Sequence, residues 1–131
     1  MTEPNTHLKI DRGLCGEILE LGEGRAEVEL TTDARMSADD RGLVHGGFIF
    51  GAADYAAMLA VNDPNVVLGA ANVTFTAPTR VGERVHVRAT VRAQIRRKYD
   101  VGVQAHVGAV RVFEGSFTCF VLDHHVLDKE G

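Results

Sequence analysis

Asp54 is the one charged side chain in the run Phe48-Ile49-Phe50-Gly51-Ala52-Ala53-Asp54-Tyr55-Ala56-Ala57-Met58-Leu59-Ala60-Val61, and His45-Gly46-Gly47 stands directly before that run. An ionised carboxylate without a partner costs several kcal/mol to bury. An acid kept in such surroundings has a compensating use: nucleophilic or general-base chemistry, or a structural hydrogen-bond network. The two glycines supply a complementary group. At the head of a helix the first backbone N–H groups have no intrahelical acceptor, and where side chains are missing a carbonyl oxygen can come close to them. With the positive end of the helix dipole behind it, such a donor suits the oxyanion that develops in acyl transfer, where one donor is typically worth about 3 kcal/mol.

Spacing then constrains which groups work together. Asp54 lies eight positions beyond Gly46, a rise of roughly 12 Å along a regular helix. One chain cannot bring both against the same carbonyl. Two antiparallel helices in a symmetric dimer can, because Asp54 of one copy then lies beside Gly46 of the other.

The helix that carries these groups is expected over Gly46 to Asn62. It is apolar almost all round, the pattern of a helix enclosed by other elements, and Asn62-Asp63-Pro64-Asn65 stops it. Ahead of it, Cys15 to Leu21 and Arg25 to Leu30 read as a hairpin about Gly22-Glu23-Gly24, and Thr31 to Val44 reads as an irregular loop. Behind it, Val66 to Ala77 is rich in β-branched residues and ends at Pro78, while Val85 to Ile95 alternates with a clear period of two. A turn at Arg97 to Asp100 leads into Val101 to Ala109, and Val110 to Leu122 is a last strand with a turn or bulge near Glu114-Gly115. The expected architecture is α+β, a curved antiparallel β-sheet wrapped around a central apolar helix. One sheet covers one side of a helix, so a second copy is expected on the other, with Val66 to Ala77 as the edge strand that pairs with its own copy.

The chain has 131 residues, 24% charged and 45% hydrophobic, which fits one domain over residues 13–131 behind a polar N-terminal arm, residues 1–12. A formal net charge of −4 argues against general affinity for nucleic acid or anionic membrane. Met1 to Arg12 lacks the apolar stretch of a signal peptide and no window approaches a membrane span, so the cytoplasm is the expected location. Cys15 and Cys119 are far apart, follow no CxxC spacing and are expected to be reduced core residues. The histidines show no metal-ligand spacing, and neither metal nor cofactor is expected.

Gly42-Leu43-Val44-His45-Gly46-Gly47, with Asp54 following, resembles the signature of hotdog-fold acyl-CoA thioesterases of the phenylacetate-degradation and 4-hydroxybenzoyl-CoA type. Asn72-Val73-Thr74-Phe75-Thr76-Ala77-Pro78 and then Val81-Gly82-Glu83-Arg84-Val85 resemble that family's third strand and its turn into the fourth, so the likeness covers residues 13–122. It implies an acyl-CoA substrate and a site shared across a homodimer, or within a homotetramer. The Gly46 amide, with Gly47, would polarise the thioester carbonyl, and Asp54 would attack it or draw a proton from water. His45 is a candidate catalytic residue, or one that holds the loop by hydrogen bonds. Phe48 and Met58, with Phe50 and Tyr55, are candidate walls for the acyl group. Asn72 is a further substrate-binding candidate, as is Asp39, which stands where many relatives carry Asn. Arg80, Arg84, Arg96, Arg97 and Lys98 suit coenzyme A phosphates, or else form a solvated charged face.

The segment Val81 to Val85 and the helix also resemble the effector domain of a bacterial repressor of fatty-acid synthesis. A non-catalytic acyl-CoA sensor is therefore the alternative function. Asp54 in place of an amide, and the expectation that no DNA-binding segment precedes the domain, favour hydrolysis. A dehydratase fits less well because His45 and Asp54, nine positions apart, do not match its motif. A purely structural dimerisation domain leaves the acid in the apolar helix unexplained.

Overall fold

Small side chains decide how closely a sheet can wrap a helix. In the computed structural model, which describes residues 2–128, the central helix α2 (Gly46–Val61) buries Ala52, Ala53, Ala56, Ala57 and Ala60 together with Ile49, Tyr55, Met58 and Leu59. A short helix α1 (Arg12–Cys15) and the hairpin β1 (Glu17–Gly22) and β2 (Arg25–Thr31) precede it. The strands β3 (Val66–Phe75), β4 (Arg84–Ile95), β5 (Lys98–Val107) and β6 (Val110–Val121) follow. All six strands form one antiparallel sheet in the order β1-β2-β4-β5-β6-β3.

Helix α2 lies chiefly against β2, β4 and β5, whose inward residues follow the strand period of two. Ala26, Val28, Leu30, Val85, Val87, Ala89, Val101, Val103 and Ala105 are all buried there, while Phe113, Phe117 and Cys119 of β6 close the flank. The sheet therefore curls around the helix in the hotdog arrangement expected from the sequence. Both β1 and β3 are edge strands. The helix ends where Asn62 turns left-handed (φ 57°, ψ 43°) and its N–H donates to the Met58 carbonyl at 2.8 Å.

Several local details differ from the sequence reading. Cys15 belongs to α1 rather than to the first strand, because Asp11 caps that turn by accepting from the Gly13 amide at 2.8 Å. The β4–β5 turn is the tight pair Arg96-Arg97, with Arg96 at φ 56°, and Asp100 is already paired with Ala93. The bulge expected near Glu114-Gly115 falls two residues earlier in β6: Ala105 pairs with Phe113 and His106 with Arg111, so Val112 is the extra residue, while Glu114 and Gly115 themselves pair in register. The loop from Thr31 to Val44 contains a 3-10 turn, Ala34–Met36, that buries Met36. The polar arm is docked on the domain. Asn62 donates from Nδ2 to the Glu3 carbonyl at 3.0 Å and accepts from the Asn5 amide at 2.7 Å, and Thr6 is buried.

Gly115 has a steric cause of its own. A Cβ there would lie 2.6 Å from Val73 Cγ1 and 2.7 Å from the Asn72 carbonyl oxygen, and backbone cannot yield as a flexible side chain does. Gly115→Ala is expected to destabilise the chain by about 2 kcal/mol, the usual range for overpacking. Urea denaturation measures it, and an unchanged midpoint would contradict this β3–β6 packing.

Candidate active site

The start of α2 is fixed by its neighbours on both sides. The His45 amide donates to the carbonyl of buried Met36 at 2.8 Å, the Val44 amide to Thr79 at 2.9 Å, and the Val81 amide to Gly42 at 2.8 Å. Thr32 braces the same segment, its hydroxyl donating to the Glu83 and Arg80 carbonyls at 2.7 and 3.1 Å. His45 is the N-cap residue, with extended backbone (φ −64°, ψ 129°) and no capping bond from its side chain. The amides of Gly46 and Gly47 consequently find no acceptor among the described residues. Gly46 borders an open cavity of about 380 Å³ whose walls also include Val44, Ile49, Phe75 and Thr79, whereas Gly47 is exposed and is not part of that wall. The Phe75 ring stands so near that a Cβ on Gly46 would lie 3.1 Å from it.

Asp54 sits two turns along α2, half-buried, with Oδ1 enclosed and without a hydrogen-bond partner. Burial pushes its carboxyl from 3.8 up to about 6, and no hydrogen bond or cation opposes that burial. One turn earlier, Phe50 stacks on Phe117 at 5.4 Å. The acid's charge reaches both thiols. Cys119 is pushed up to about 12 by its own burial and then by Asp54, and Cys15 is raised by burial and by the charges of Asp11 and Asp54. Both cysteines are free.

The remaining candidates are scattered. His45 is exposed and lies edge-on to half-buried Phe48, ring centres 6.2 Å apart; its main chain rather than its ring holds the loop. Met58 and Tyr55 are enclosed in the core. Asp39 accepts from the Arg41 and Leu43 amides at 2.9 and 3.1 Å, a turn that an Asn would make equally well. Asn72 lies on the outer face of the sheet, in a polar groove with Thr74, Arg88, Arg92 and Ser116. Arg80 pairs with Leu43 beside the helix start, and Arg84 opens β4 at that same end. Arg96, Arg97 and Lys98 lie at the far end of β4, roughly 36 Å away at the strand rise of about 3.3 Å per residue. One chain cannot set both groups of cations on one phosphate. Thr79 was not singled out by sequence. It is 3% exposed, and its hydroxyl has no hydrogen-bond partner, an arrangement that ordinarily costs about 1–3 kcal/mol. Among the described residues no three His, Cys, Asp or Glu side chains gather as metal ligands would, and no helix is long and apolar enough to cross a membrane.

The family described as Thioesterase superfamily matches residues 41–113, more than half of the chain, spanning the glycines, Asp54 and Thr79. The chain belongs to the thioesterase superfamily. Among solved structures, this thioesterase-superfamily chain is similar to the uncharacterized protein PH1136 from Pyrococcus horikoshii, at 49% identity and TM-score 0.96, covering 97% of this chain and 98% of that one. A mutant of the phenylacetic acid degradation protein PaaI from Thermus thermophilus follows it at 30% identity and TM-score 0.76, covering 83% and 95%. Among curated proteins, the chain is 52% identical over 119 residues to methylthioribose-1-phosphate isomerase of Aquifex aeolicus, 90% of this chain but 26% of that one. It is 29% identical to transcription factor FapR of Caldanaerobacter subterraneus, over 88% of this chain and 58% of that one. The chain thus spans about a quarter and somewhat over half of these two proteins.

The raised carboxyl of Asp54 links the site to stability. Its folded value of about 6 lies above the ordinary 3.8, so the folded state holds the proton more tightly and the ionised form weakens folding above pH 6. Below about pH 4 both states are protonated and the cost is gone. For a half-buried group the difference is about 1–2 kcal/mol. Asp54→Asn is expected to stabilise the chain by that amount near pH 8 and to leave it unchanged near pH 4, as read by denaturant titration at the two pH values. A gain that is the same at both would mean the charge is not its source.

Proposed function

We propose that the chain is an acyl-CoA thioesterase whose site is shared between two copies. The observation that carries this reading is the enclosed, unpartnered Oδ1 of Asp54 on the same helix that presents two unpartnered glycine amides. Membership of the thioesterase superfamily supports the reaction class, and the free edge of β3 supports pairing with a second copy. In the mechanism, the Gly46 amide, with Gly47, holds the thioester carbonyl and then the oxyanion. The carboxylate of Asp54 on the opposing copy adds to the carbonyl carbon or takes a proton from the attacking water. Coenzyme A leaves as a thiolate, a good leaving group, so the site has no need of a strong general acid. Arg80, close to the helix start, is the cation best situated for the carrier's phosphates.

The likeness to FapR favours one second reading, an acyl-CoA sensor without turnover. Binding without thiol release separates it from the enzyme.

Thiol release from a panel of acyl-CoA esters is expected to rise as pH increases through about 6, where Asp54 ionises, and to fall roughly 10²- to 10⁴-fold in Asp54→Asn. Binding of the esters with no release from either chain would establish the sensor instead. Shared architecture has a sharper test. Gly46 occupies the first helical position, where Pro is tolerated, and His45 already has the extended backbone that a following Pro requires. Gly46→Pro therefore deletes the amide donor while keeping the helix start. Mixing inactive Gly46→Pro with inactive Asp54→Asn is expected to restore about a quarter of the natural activity, since half of the dimers are mixed and each holds one intact site. No recovery, with mixed dimers formed, would place both groups in one copy.

A further inference from the structure

Arg25, Arg35, Arg88, Arg92 and Arg111 are exposed, and each holds a carboxylate at ion-pair distance. At the β4–β5 turn that pattern stops. Among the described residues no acid pairs with Arg96, Arg97 or Lys98, and all three are exposed. Arg96 takes, at φ 56°, the first central position of the turn, a left-handed conformation that Gly, Asn or Asp adopt at least cost. The turn is also braced. Gln94 donates from Nε2 to the Arg96 carbonyl at 3.0 Å and to the Tyr99 hydroxyl at 2.9 Å, and the Val121 amide donates to the Arg97 carbonyl at 2.8 Å. Cations that are strained, held rigid and left without acids suit an anion from outside the chain.

The neighbours of the tip define the class of that anion. Strand register sets Ile95, 75% exposed, opposite Lys98, Lys98 opposite Phe120, and Phe120 opposite Val67, with Phe120 facing outward because Cys119 before it is buried. An apolar row thus crosses the outer face of the sheet beside the cations. A free phosphate gains nothing from that row, whereas a protein whose acids border an apolar patch fits both. Next to the tip, the Leu122 amide donates to the Asn65 carbonyl at 3.2 Å, which ties this end of the sheet to the segment leaving α2. In an antiparallel pair the end of one α2 lies beside the start of the other, so each tip flanks the glycine amides of the opposing copy.

We propose that the β4–β5 tip, with the row from Ile95 to Phe120, is a docking surface for an acidic carrier protein that delivers its acyl group, as a thioester on a phosphopantetheine arm, to the site of the opposing copy. The proposal rests on the shared-site thioesterase reading and extends it from coenzyme A to a protein-borne substrate. Among acidic proteins, one that carries a thioester is the kind whose docking here serves that site.

Matched acyl esters, each offered on coenzyme A and on an acidic acyl-carrier protein, test it. The natural chain is expected to hydrolyse the carrier-protein esters. The triple variant Arg96→Asp, Arg97→Glu, Lys98→Glu is expected to lose about 10-fold or more in kcat/KM on them, through KM, and to leave the coenzyme A esters unaffected. Ile95→Ser is expected to raise the same KM. No hydrolysis of the carrier-protein esters where the coenzyme A esters are cleaved, an unchanged KM in the triple variant, or an equal loss on both carriers overturns the docking surface and leaves the thioesterase reading standing. Should the triple variant fail to fold, Arg97→Glu with Lys98→Glu, which spares the strained position, makes the same comparison. If neither kind of ester is hydrolysed, the thioesterase reading falls, and calorimetric titration with the acyl-carrier protein decides the surface alone: binding that the variant loses sustains it, and no binding, or binding that the variant keeps, overturns it.

Discussion

Helix α2 is held by a sheet that closes on it across five buried alanines, and every other feature of the molecule takes its position from that contact. Interiors are packed to crystal density, so a helix seated among Ala26, Ala89 and Ala105 on one side and its own alanines on the other cannot slide or tilt without opening voids. Rigidity at this point matters chemically. The glycine amides point where the helix axis points, and the axis is fixed by the sheet rather than by the loop that leads into it. The bonds from Val44, His45 and Val81 to the surrounding carbonyls then set the one degree of freedom left, the height at which the first turn begins.

Against that seat the energetics of Asp54 run the other way. Most of α2 is lined by partners that reward burial, and this one side chain is penalised by it. Nothing among the described residues offsets the penalty: the nearby cysteines are weak donors, and the stacked Phe50 and Phe117 only exclude water. A position that a neutral amide would fill at lower cost, yet that carries an acid, fits the general pattern in which strained or destabilised groups cluster where chemistry is done.

Much of this arrangement was legible in the sequence, and the reasons for success and failure are physical. Apolar periodicity is a property of long elements, so the enclosed helix and the four strands after it could be read, as could an isolated acid and a Gly pair whose spacing follows from helical rise. Contacts between distant segments left weaker marks. Asn62 reads as a helix stop, which it is, but its clasp on Glu3 and Asn5 depends on where the arm returns. Arg80 and Arg96 look alike as surface cations, and only the length of β4 separates them. Asn72 reads as part of a strand motif; its position on the outer face follows from the β3–β6 register, with Val73 opposite Gly115 and packed toward the core. Thr79 carried no signal at all, since a threonine between Pro78 and Arg80 is ordinary turn chemistry until the fold removes its solvent. The bulge expected near Glu114-Gly115 falls at Val112, and Gly115 is there for close approach to β3 rather than for bending the chain.

The electrostatics of the proposed dimer are self-consistent in a way that a single copy is not. Covering Asp54 with a second helix removes more water and by itself raises the carboxyl further, which would leave the acid protonated and inert near neutral pH. The element brought up against it in an antiparallel pair is the start of the opposing α2, where unpartnered amides and the positive end of the dipole favour an anion by about 0.3–1 kcal/mol at the surface and up to about 2 kcal/mol in partly buried settings. Desolvation and dipole thus act on the same carboxylate with opposite sign, and the amides do not lose their function in the exchange, because a substrate carbonyl entering between them and the acid takes up the donors. The acid then faces an electrophile in a site from which water has been largely removed, where its basicity is greater than that of an exposed aspartate. One helix, used twice in opposite directions, supplies both the charge and the field that keeps it ionised.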